Sequence, residues 1–241
     1  MSGLKDRLAR RLPPSTYLLL RQIRVELTAA YFAPTHKRKV ASLPRSGLKI
    51  ELGSGHIQRA GWVDVDLLNP SADLRLDLRR PLPFADGSAD EIHSEHLFEH
   101  LEYLEALALM EQCRRVIRPG GTLSIGVPDP GPALHAYVNG NRNFFNRDGL
   151  SSAEVTKEHC IESISEGSHW APPAWVVTPM QHLNFLFHQY GDHRFIYDAE
   201  TLIASLTQTG FVGVHERPFD AERDSITRKN DTLYVDGTRP P

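Results

Sequence analysis

The chain has 241 residues, of which 40% are hydrophobic and 24% charged, the proportions of a soluble globular protein with one sizeable core. No apolar run approaches the roughly 20 residues that cross a bilayer, and no signal-peptide core follows Met1, so the sequence predicts a cytoplasmic protein. The two cysteines, Cys113 and Cys160, are too few for a disulfide framework or a thiolate zinc site.

Charge is distributed unevenly along the chain. Residues 1–45 carry ten Lys/Arg against two acids, a balance of +8, and since the whole chain carries −3, residues 46–241 carry −11. Within this basic helical arm, the spacing of Leu20, Ile23 and Leu27 predicts a helix from Ser15 to about Phe32. Two roles remain open for the arm: a lid packed on the following domain, or a peripheral membrane contact with anionic lipid.

Short apolar runs alternate with helical patterns from Gly47 onward, which predicts an α/β domain over residues 46–241 with a doubly wound parallel sheet. Helices are predicted at Tyr103–Ile117, stopped by Pro119-Gly120-Gly121, and at Ala199–Thr209, closed by Gly210. Seven strands are predicted, at Leu48–Leu52, Trp62–Leu67, Leu74–Leu78, Asp90–Ser94, Thr122–Val127, Phe211–Arg217 and Asp231–Asp236.

The alternation of strand-like and helix-like patterns is absent from the sequence between Pro128 and about Asp198. This stretch holds Trp170 and Trp175 and six of the twelve histidines. A structureless loop of such length is uncommon inside a compact domain. We therefore expect an insertion at about 130–198 that covers the substrate.

The glycine loop after the first strand favours one kind of ligand. A dinucleotide site needs a third glycine where this chain has Gln58, and Glu51 would repel a pyrophosphate. A carboxylate there suits a ligand that carries positive charge, such as S-adenosylmethionine, which has an ammonium group and a sulfonium. Gly53 and Gly55 allow close approach of the backbone, and Asp66 could accept from vicinal hydroxyls at the end of the second strand.

The order of these motifs resembles that of class I S-adenosylmethionine-dependent methyltransferases. The resemblance covers about residues 47–127 and is carried by Glu51-Leu52-Gly53-Ser54-Gly55, Asp66, Asp77 to Phe84, Ser94 to Leu101, and Arg118-Pro119-Gly120-Gly121. It implies a Rossmann-like, seven-stranded sheet, mostly parallel, with one antiparallel strand near the carboxyl terminus. Only His56 to Gly61 intervene between the first two strands, a compressed form similar to a bacterial subgroup associated with polysaccharide and secondary-metabolite pathways.

The resemblance also implies cofactor contacts. Glu51 would serve the ammonium side through backbone and water, Asp66 the ribose and Asp77 the adenine amine, while Ser94 and His96 would line the methionine end. The remaining implied cofactor-binding residues are Gly53, Ser54, Gly55, Leu67 and Leu78.

A second motif competes for the same region. His96-Leu97-Phe98-Glu99-His100 spells H-x-x-E-H, in which two histidines on one helical face can bind zinc. His96, however, directly follows a predicted strand, at the edge where a doubly wound fold binds its ligand. We therefore predict no metal, with His96 at the cofactor and His100 orienting the following helix.

Methyl transfer to an alcohol needs alignment and a base. Asp129, just after the fifth predicted strand, is the first candidate, and His193 and His188 follow. The sequence thus predicts O-methylation of a sugar or related polar metabolite, a small-molecule or glycan acceptor, and no nucleic-acid partner. Two alternatives remain open: an NAD(P)-dependent oxidoreductase, and a non-catalytic cofactor-binding module docked at a membrane.

Overall fold

The structure is a computed structural model that describes residues 14–32, 36–55, 57–145 and 176–241. Residues 1–13 of the basic arm, together with Trp170 and Trp175, lie outside the described residues. Six α-helices are described: α1 (Pro14–Phe32), α2 (His36–Ala41), α3 (Tyr103–Val116), α4 (Gly131–Val138), α5 (Pro179–His188) and α6 (Ala199–Gln208). The strands are β1 (Leu48–Leu52), β2 (Val63–Val65), β3 (Ala89–Glu95), β4 (Ile117–Pro128), β5 (Val212–Arg217) and β6 (Thr232–Thr238).

The strands form one sheet in the order β2-β1-β3-β4-β6-β5. All pairs among β1 to β4 are parallel, and β6 is antiparallel to both of its neighbours. The predicted α/β fold with one antiparallel strand near the carboxyl terminus is therefore confirmed. The chain leaves β1 toward β2 on one side and β3 on the other, so the strand order reverses there, which is where such sheets bind ligands.

The strand predicted at Leu74–Leu78 is wrong. Within the described residues the sheet has six strands, and this segment contributes a single bridge between Val65 and Leu74. The Leu74 N–H donates to the Asp64 carbonyl at 3.0 Å, and the Leu74 carbonyl accepts from the Asp66 N–H at 3.1 Å, after which the ladder ends. Beyond Val65 the chain turns, since Asp66 accepts from backbone N–H groups further along its own loop.

One face of the sheet is apolar. Side chains alternate between faces along a strand, and Ile50, Ile92 and Leu123 stand in register on adjacent strands with no solvent exposure. Helices α3 and α6 cover this face with the buried residues Ala106, Leu109, Met110, Leu202 and Leu206. The main core of the domain therefore lies between the sheet and these two helices.

The opposite face carries a polar row, which we define as the residues that stand in register across six strands: Asp64, Glu51, His93, Ser124, Asp236 and His215. Parallel sheets usually bury both faces under crossover helices. Here residues 53–62 and 66–88 contain no helix in their described part. The segment 218–231, between β5 and β6, instead supplies polar partners to this face, such as Asp224, whose Oδ1 lies 3.1 Å from His93 Nε2.

Helix α1 is tied to the domain at two points. Arg79 NH1 lies 2.8 Å from Glu26 Oε1, and Arg21 forms an ion pair with Asp192. Five residues separate the two α1 side chains, about 7.5 Å along a helix axis. The helix therefore links the loop after β2 to the segment that precedes α6. None of the described helices has the length and apolar character needed to cross a membrane.

Candidate cofactor and acceptor site

The glycine loop bends sharply at the carboxyl end of β1. Gly53 and Gly55 have φ angles of +69° and +54°, which side chains other than glycine rarely adopt. A Cβ on Gly53 would lie 3.0 Å from the Cβ of Leu97, whereas a Cβ on Gly55 would meet nothing within 4 Å. Ser54 Oγ is buried without a hydrogen-bond partner among the described residues. The loop therefore packs on Leu97 at one glycine and borders open space at the other.

Asp66 is fixed beside this loop. Its Oδ2 accepts from the Gly55 N–H at 3.0 Å, and its Oδ1 accepts from the N–H groups of Leu68 and Asn69 at 2.7 and 2.8 Å. A carboxylate has about four lone-pair sites, and Asp66 is only partly buried, so acceptor capacity remains. Leu67 follows directly, with its carbonyl held by Arg75 Nε at 2.9 Å. The open space at Gly55 and the fixed acid fit a ligand with ribose hydroxyls.

The Glu51 carboxylate does not face that open space. Its side chain is 1% exposed and receives Arg59 NH1 at 2.8 Å and His93 Nδ1 at 2.9 Å. Glu51 therefore supports the loop through Arg59, and its own oxygens are occupied within the polar row. A contact with the ammonium group of the cofactor would therefore come from the backbone at Glu51, as the sequence predicts, and its carboxylate would take no direct part.

Asp77 and Leu78 are also held by the protein itself. Arg79 donates to the two Asp77 oxygens at 2.8 and 3.0 Å, and Arg80 donates at 3.3 Å. Burial alone would raise the pKa of Asp77, but the hydrogen bonds from Arg79 outweigh it and lower the pKa. Leu78 is buried in the core. A contact from Asp77 to an adenine amine stays a prediction, in competition with Arg79.

Ser94 and His96 lie at the end of β3. The Ser94 hydroxyl is buried and donates to the Leu52 carbonyl at 3.1 Å. His96 has a φ of +59°, an uncommon conformation for a non-glycine residue that occurs often at functional sites. Its Nε2 lies 2.8 Å from Thr232 Oγ1, and burial lowers the pKa of His96 to about 2, so the imidazole is neutral.

A cluster of acid and histidine side chains follows directly, which we call the Glu99 cluster: Glu99, His100 and His193. Their ligand-type atoms all lie within 4.8 Å of one another. Glu99 is 1% exposed, and burial raises its pKa to about 8. Burial likewise lowers the pKa of His193 to about 4. The sequence motif marked Glu99 and His100, but the pairing with His193 depends on the tertiary fold.

The three catalytic candidates are placed differently. His193 belongs to the Glu99 cluster. Asp129 is partly buried, and its Oδ1 accepts from the Gly131 N–H at 2.8 Å, which starts α4. His188 is exposed at the end of α5 and contacts His193 only through its backbone carbonyl. The Glu99 cluster adjoins the glycine loop because Leu97, between His96 and Glu99, packs against Gly53.

The structure has a mostly parallel sheet with a glycine loop after its first strand and a fixed acid after its second, which agrees with the resemblance to class I S-adenosylmethionine-dependent methyltransferases. Comparison with known families agrees: residues 46–125 match the family described as "Methyltransferase domain". This part of the chain is therefore a methyltransferase domain that uses S-adenosylmethionine, as the sequence predicts. No curated protein matches the chain.

Several solved structures are similar to this chain. A possible exported protein from Bordetella parapertussis is 15% identical, with a TM-score of 0.45 over 86% of this chain and 67% of that protein. PigF with SAH is 13% identical, with a TM-score of 0.43 over 79% of this chain and 50% of PigF. A possible histamine N-methyltransferase from Thermotoga maritima is 14% identical, with a TM-score of 0.42 over 98% of this chain and 99% of that protein. This chain thus spans about half the length of PigF, and similarity at this level defines no shared substrate.

Proposed function

We propose that this protein transfers the methyl group of S-adenosylmethionine to a hydroxyl oxygen of a sugar or a related polar metabolite. The observation that carries the proposal is the Glu99 cluster beside the glycine loop. His100 and His193, whose imidazoles burial keeps neutral, offer proton acceptors of the kind that a hydroxyl nucleophile needs, and the Glu99 carboxyl lies beside them. An amine or thiol acceptor needs such groups less.

The cofactor, when bound, supplies a methyl group already activated on a sulfonium. A lone pair of the acceptor oxygen forms the new C–O bond, the C–S bond breaks with its electrons moving to sulfur, and the hydroxyl proton must leave. Gly55 and Asp66 hold the nucleoside side, because the loop leaves room at Gly55 and its N–H fixes Asp66. The Glu99 cluster then orients the acceptor and receives the proton. Alignment of this kind supplies much of the rate in displacement reactions.

Calorimetry with S-adenosylhomocysteine tests the cofactor part. We expect binding to the wild-type chain, weakened about tenfold or more by Asp66→Ala, because a hydrogen bond to a charged group contributes about 1.5–3 kcal/mol. Asp90→Ala is the matched control, since Asp90 lies at the other end of β3 in an exposed pair with Arg118. The absence of heat with the wild-type chain would contradict the proposal, and fluorescence titration with NADH would then test the oxidoreductase alternative.

An acceptor screen with isotopically labelled S-adenosylmethionine tests the acceptor part. Glycans, glycolipids and small hydroxylated metabolites form the pools, and the product is analysed for an O-methyl group. Transfer only to nitrogen, carbon or sulfur would contradict hydroxyl methylation while leaving cofactor use intact.

Helix α1 favours a second candidate, a cofactor-binding module docked at a membrane. Its Leu19, Leu27 and Tyr31 side chains are 59%, 66% and 73% exposed, on a helix within the basic arm. Apolar side chains beside basic ones are typical of helices that lie on anionic bilayers. Co-sedimentation with anionic and with neutral vesicles tests this candidate. Selective binding to anionic vesicles, together with no methyl transfer to any acceptor pool, would favour it over the enzyme.

A further inference from the structure

The Glu99 carboxylate is buried without a hydrogen-bond donor. Its side chain is 1% exposed, and neither oxygen has a hydrogen-bond partner among the described residues. The nearest ring nitrogens are His96 Nδ1 at 3.4 Å and His100 Nε2 at 3.7 Å from Oε1. A buried carboxylate without donors is costly unless it is protonated or binds a cation.

The two histidines of the cluster are oriented by backbone carbonyls. His100 Nδ1 lies 3.0 Å from the Asp192 carbonyl oxygen, and His193 Nδ1 lies 3.0 Å from the Leu186 carbonyl oxygen. Because a carbonyl can only accept, each Nδ1 carries the proton and each Nε2 presents a lone pair. Metal-binding histidines are usually held in this way, with the second ring nitrogen donating to a carbonyl or carboxylate.

We propose that Glu99, His100 and His193 form a binding site for a divalent transition metal ion. Two neutral imidazoles and one carboxylate are a ligand set that binds zinc, manganese, cobalt or iron(II) and leaves coordination positions open. Metal–ligand bonds of about 2.0–2.2 Å place ligand atoms about 3 to 4 Å apart. The cluster atoms already lie within 4.8 Å of one another, so small side-chain rotations complete the site.

This arrangement differs from the one that H-x-x-E-H motifs usually form. In that motif both histidines bind the metal and the glutamate acts as a base. Here His96 directs Nε2 to Thr232, and the second histidine ligand is His193, from the segment after α5. Glu99 becomes a ligand because it lies between His96 and the two cluster histidines. The prediction of no metal from sequence is therefore one that we propose to revise.

The site gives the proposed methyl transfer a way to activate its acceptor, and this step rests on the proposed function. A divalent ion held by Glu99, His100 and His193 would lower the pKa of a hydroxyl bound to it, and the proton would then pass to solvent instead of to the cluster side chains. The His100 side chain is 37% exposed, which leaves one side of the cluster accessible to an incoming ligand.

The test measures metal binding in the absence of cofactor and acceptor. The full chain is stripped with a chelator, then titrated with Zn²⁺ by calorimetry and with Co²⁺ by visible absorption. We expect one ion per chain, a cobalt spectrum typical of nitrogen and oxygen ligands, and binding at least about tenfold weaker in Glu99→Gln. His193→Gln is the second variant, so that the contribution of the cluster to metal binding can still be measured if Glu99→Gln does not fold.

His215→Ala is the matched control. Its Nδ1 also contacts a backbone carbonyl, that of Gly213 at 2.8 Å, but its side chain is exposed on β5 and outside the cluster. This variant should bind Zn²⁺ like the wild-type chain. Absence of saturable Zn²⁺ binding by the wild-type chain, or unchanged affinity in both cluster variants, would overturn the proposal.

The two proposals fail separately. Heat from S-adenosylhomocysteine without any metal binding would overturn the metal site and keep the methyltransferase. Metal binding without any response to S-adenosylhomocysteine would overturn the methyltransferase proposal and keep the metal site.

Discussion

His93 lies at the centre of the polar row and is fully buried. Its Nδ1 faces the Glu51 carboxylate of β1 at 2.9 Å, and its Nε2 faces Asp224 of the segment 218–231 at 3.1 Å. The other charged group beside it is Arg59, from the loop after β1. Burial disfavours the imidazolium, but the hydrogen bonds that it donates to Asp224 and Glu51 outweigh burial and raise the pKa of His93 above its usual value of 6.5.

This raised pKa predicts a pH-dependent stability. Because the folded-state pKa is above the unfolded one, the stabilisation is fully present below the unfolded value and is lost as pH rises through the folded value. We expect the melting temperature to fall as pH rises above the ordinary histidine pKa of 6.5, with a smaller fall in His93→Gln. His215→Gln should keep the wild-type slope, since His215 is exposed. An equal slope in His93→Gln would assign the pH dependence to other groups.

For single residues, the sequence predicted where a residue lies in the fold better than it predicted which side chains that residue contacts. Gly53, Gly55 and Asp66 do lie together at the ends of β1 and β2. Glu51 was expected to serve the ammonium side through backbone and water, which stays a prediction, whereas the contact of its carboxylate with His93, 42 residues away, was not predicted. The alternation of polar and apolar residues in β3 was a readable signal of a polar face, but it could not identify which charges would meet there.

At the scale of elements, α1 depends on few contacts for its position. The pair between Glu26 and Arg79 is partly exposed, with side chains 48% and 25% accessible. Pairs of this kind contribute about 1 kcal/mol or less. The helix is therefore held more weakly than the strands, as expected for a segment that must move if it covers a ligand.

Replacing Arg79 should loosen α1. We expect Arg79→Ala to speed amide hydrogen exchange in residues 14–32 by up to about fivefold, the equivalent of about 1 kcal/mol. Arg80→Ala is the matched control, because Arg80 contacts Asp77 at 3.3 Å and is 67% exposed. Exchange in α1 that is equal in the two variants would show that the Glu26 pair does not hold the helix.

The bounds of a helix or strand were predicted well where one face of a long element is buried, because the apolar residues then recur at regular spacing. β1 and α3 were predicted to within a residue, because their apolar spacing is regular. The segment Leu74–Leu78 has the same alternation and forms no strand. Its buried leucines pack in the core, while Arg75 donates to the Leu67 carbonyl and Asp77 accepts from Arg79. Alternation of apolar and polar residues indicates which side chains are buried. A strand needs in addition a neighbouring strand whose backbone groups are free to pair with it.

At the scale of the whole molecule, the short connections after β1 and β2 explain the buried charges. With no crossover helix in their described part, one sheet face is covered by the segment 218–231, and its residues meet the polar row through ion pairs. The sequence showed the missing helix after β1 but not this consequence, because Asp224 lies far from the strands it joins. The Glu99 cluster is a second example, because His193 lies 94 positions after Glu99, within the stretch predicted as an insertion.

Arg217 is the cation that holds this face together. It donates to Asp224 at 2.6 and 2.7 Å, to Asp236 at 2.8 Å and to Ser124 Oγ at 2.8 Å. Desolvation opposes the charge of Arg217, but the hydrogen bonds that it donates to Asp224 and Asp236, and the charges of these two acids, outweigh desolvation and raise the pKa of Arg217. The same guanidinium keeps the pKa of Asp224 well below its usual range.

Removing this cation should destabilise the fold strongly. We expect Arg217→Leu to lower the free energy of unfolding by about 3–5 kcal/mol, because it removes the guanidinium that donates to the buried Asp224 and the partly buried Asp236. Denaturant unfolding measures the change, with Arg118→Leu as control, since the exposed pair with Asp90 should contribute about 1 kcal/mol or less. In the double variant Arg217→Leu with Asp224→Asn, part of the loss should return, because one unpaired charge has been removed. A loss below about 1 kcal/mol in Arg217→Leu would mean that water, rather than this arginine, solvates the polar face.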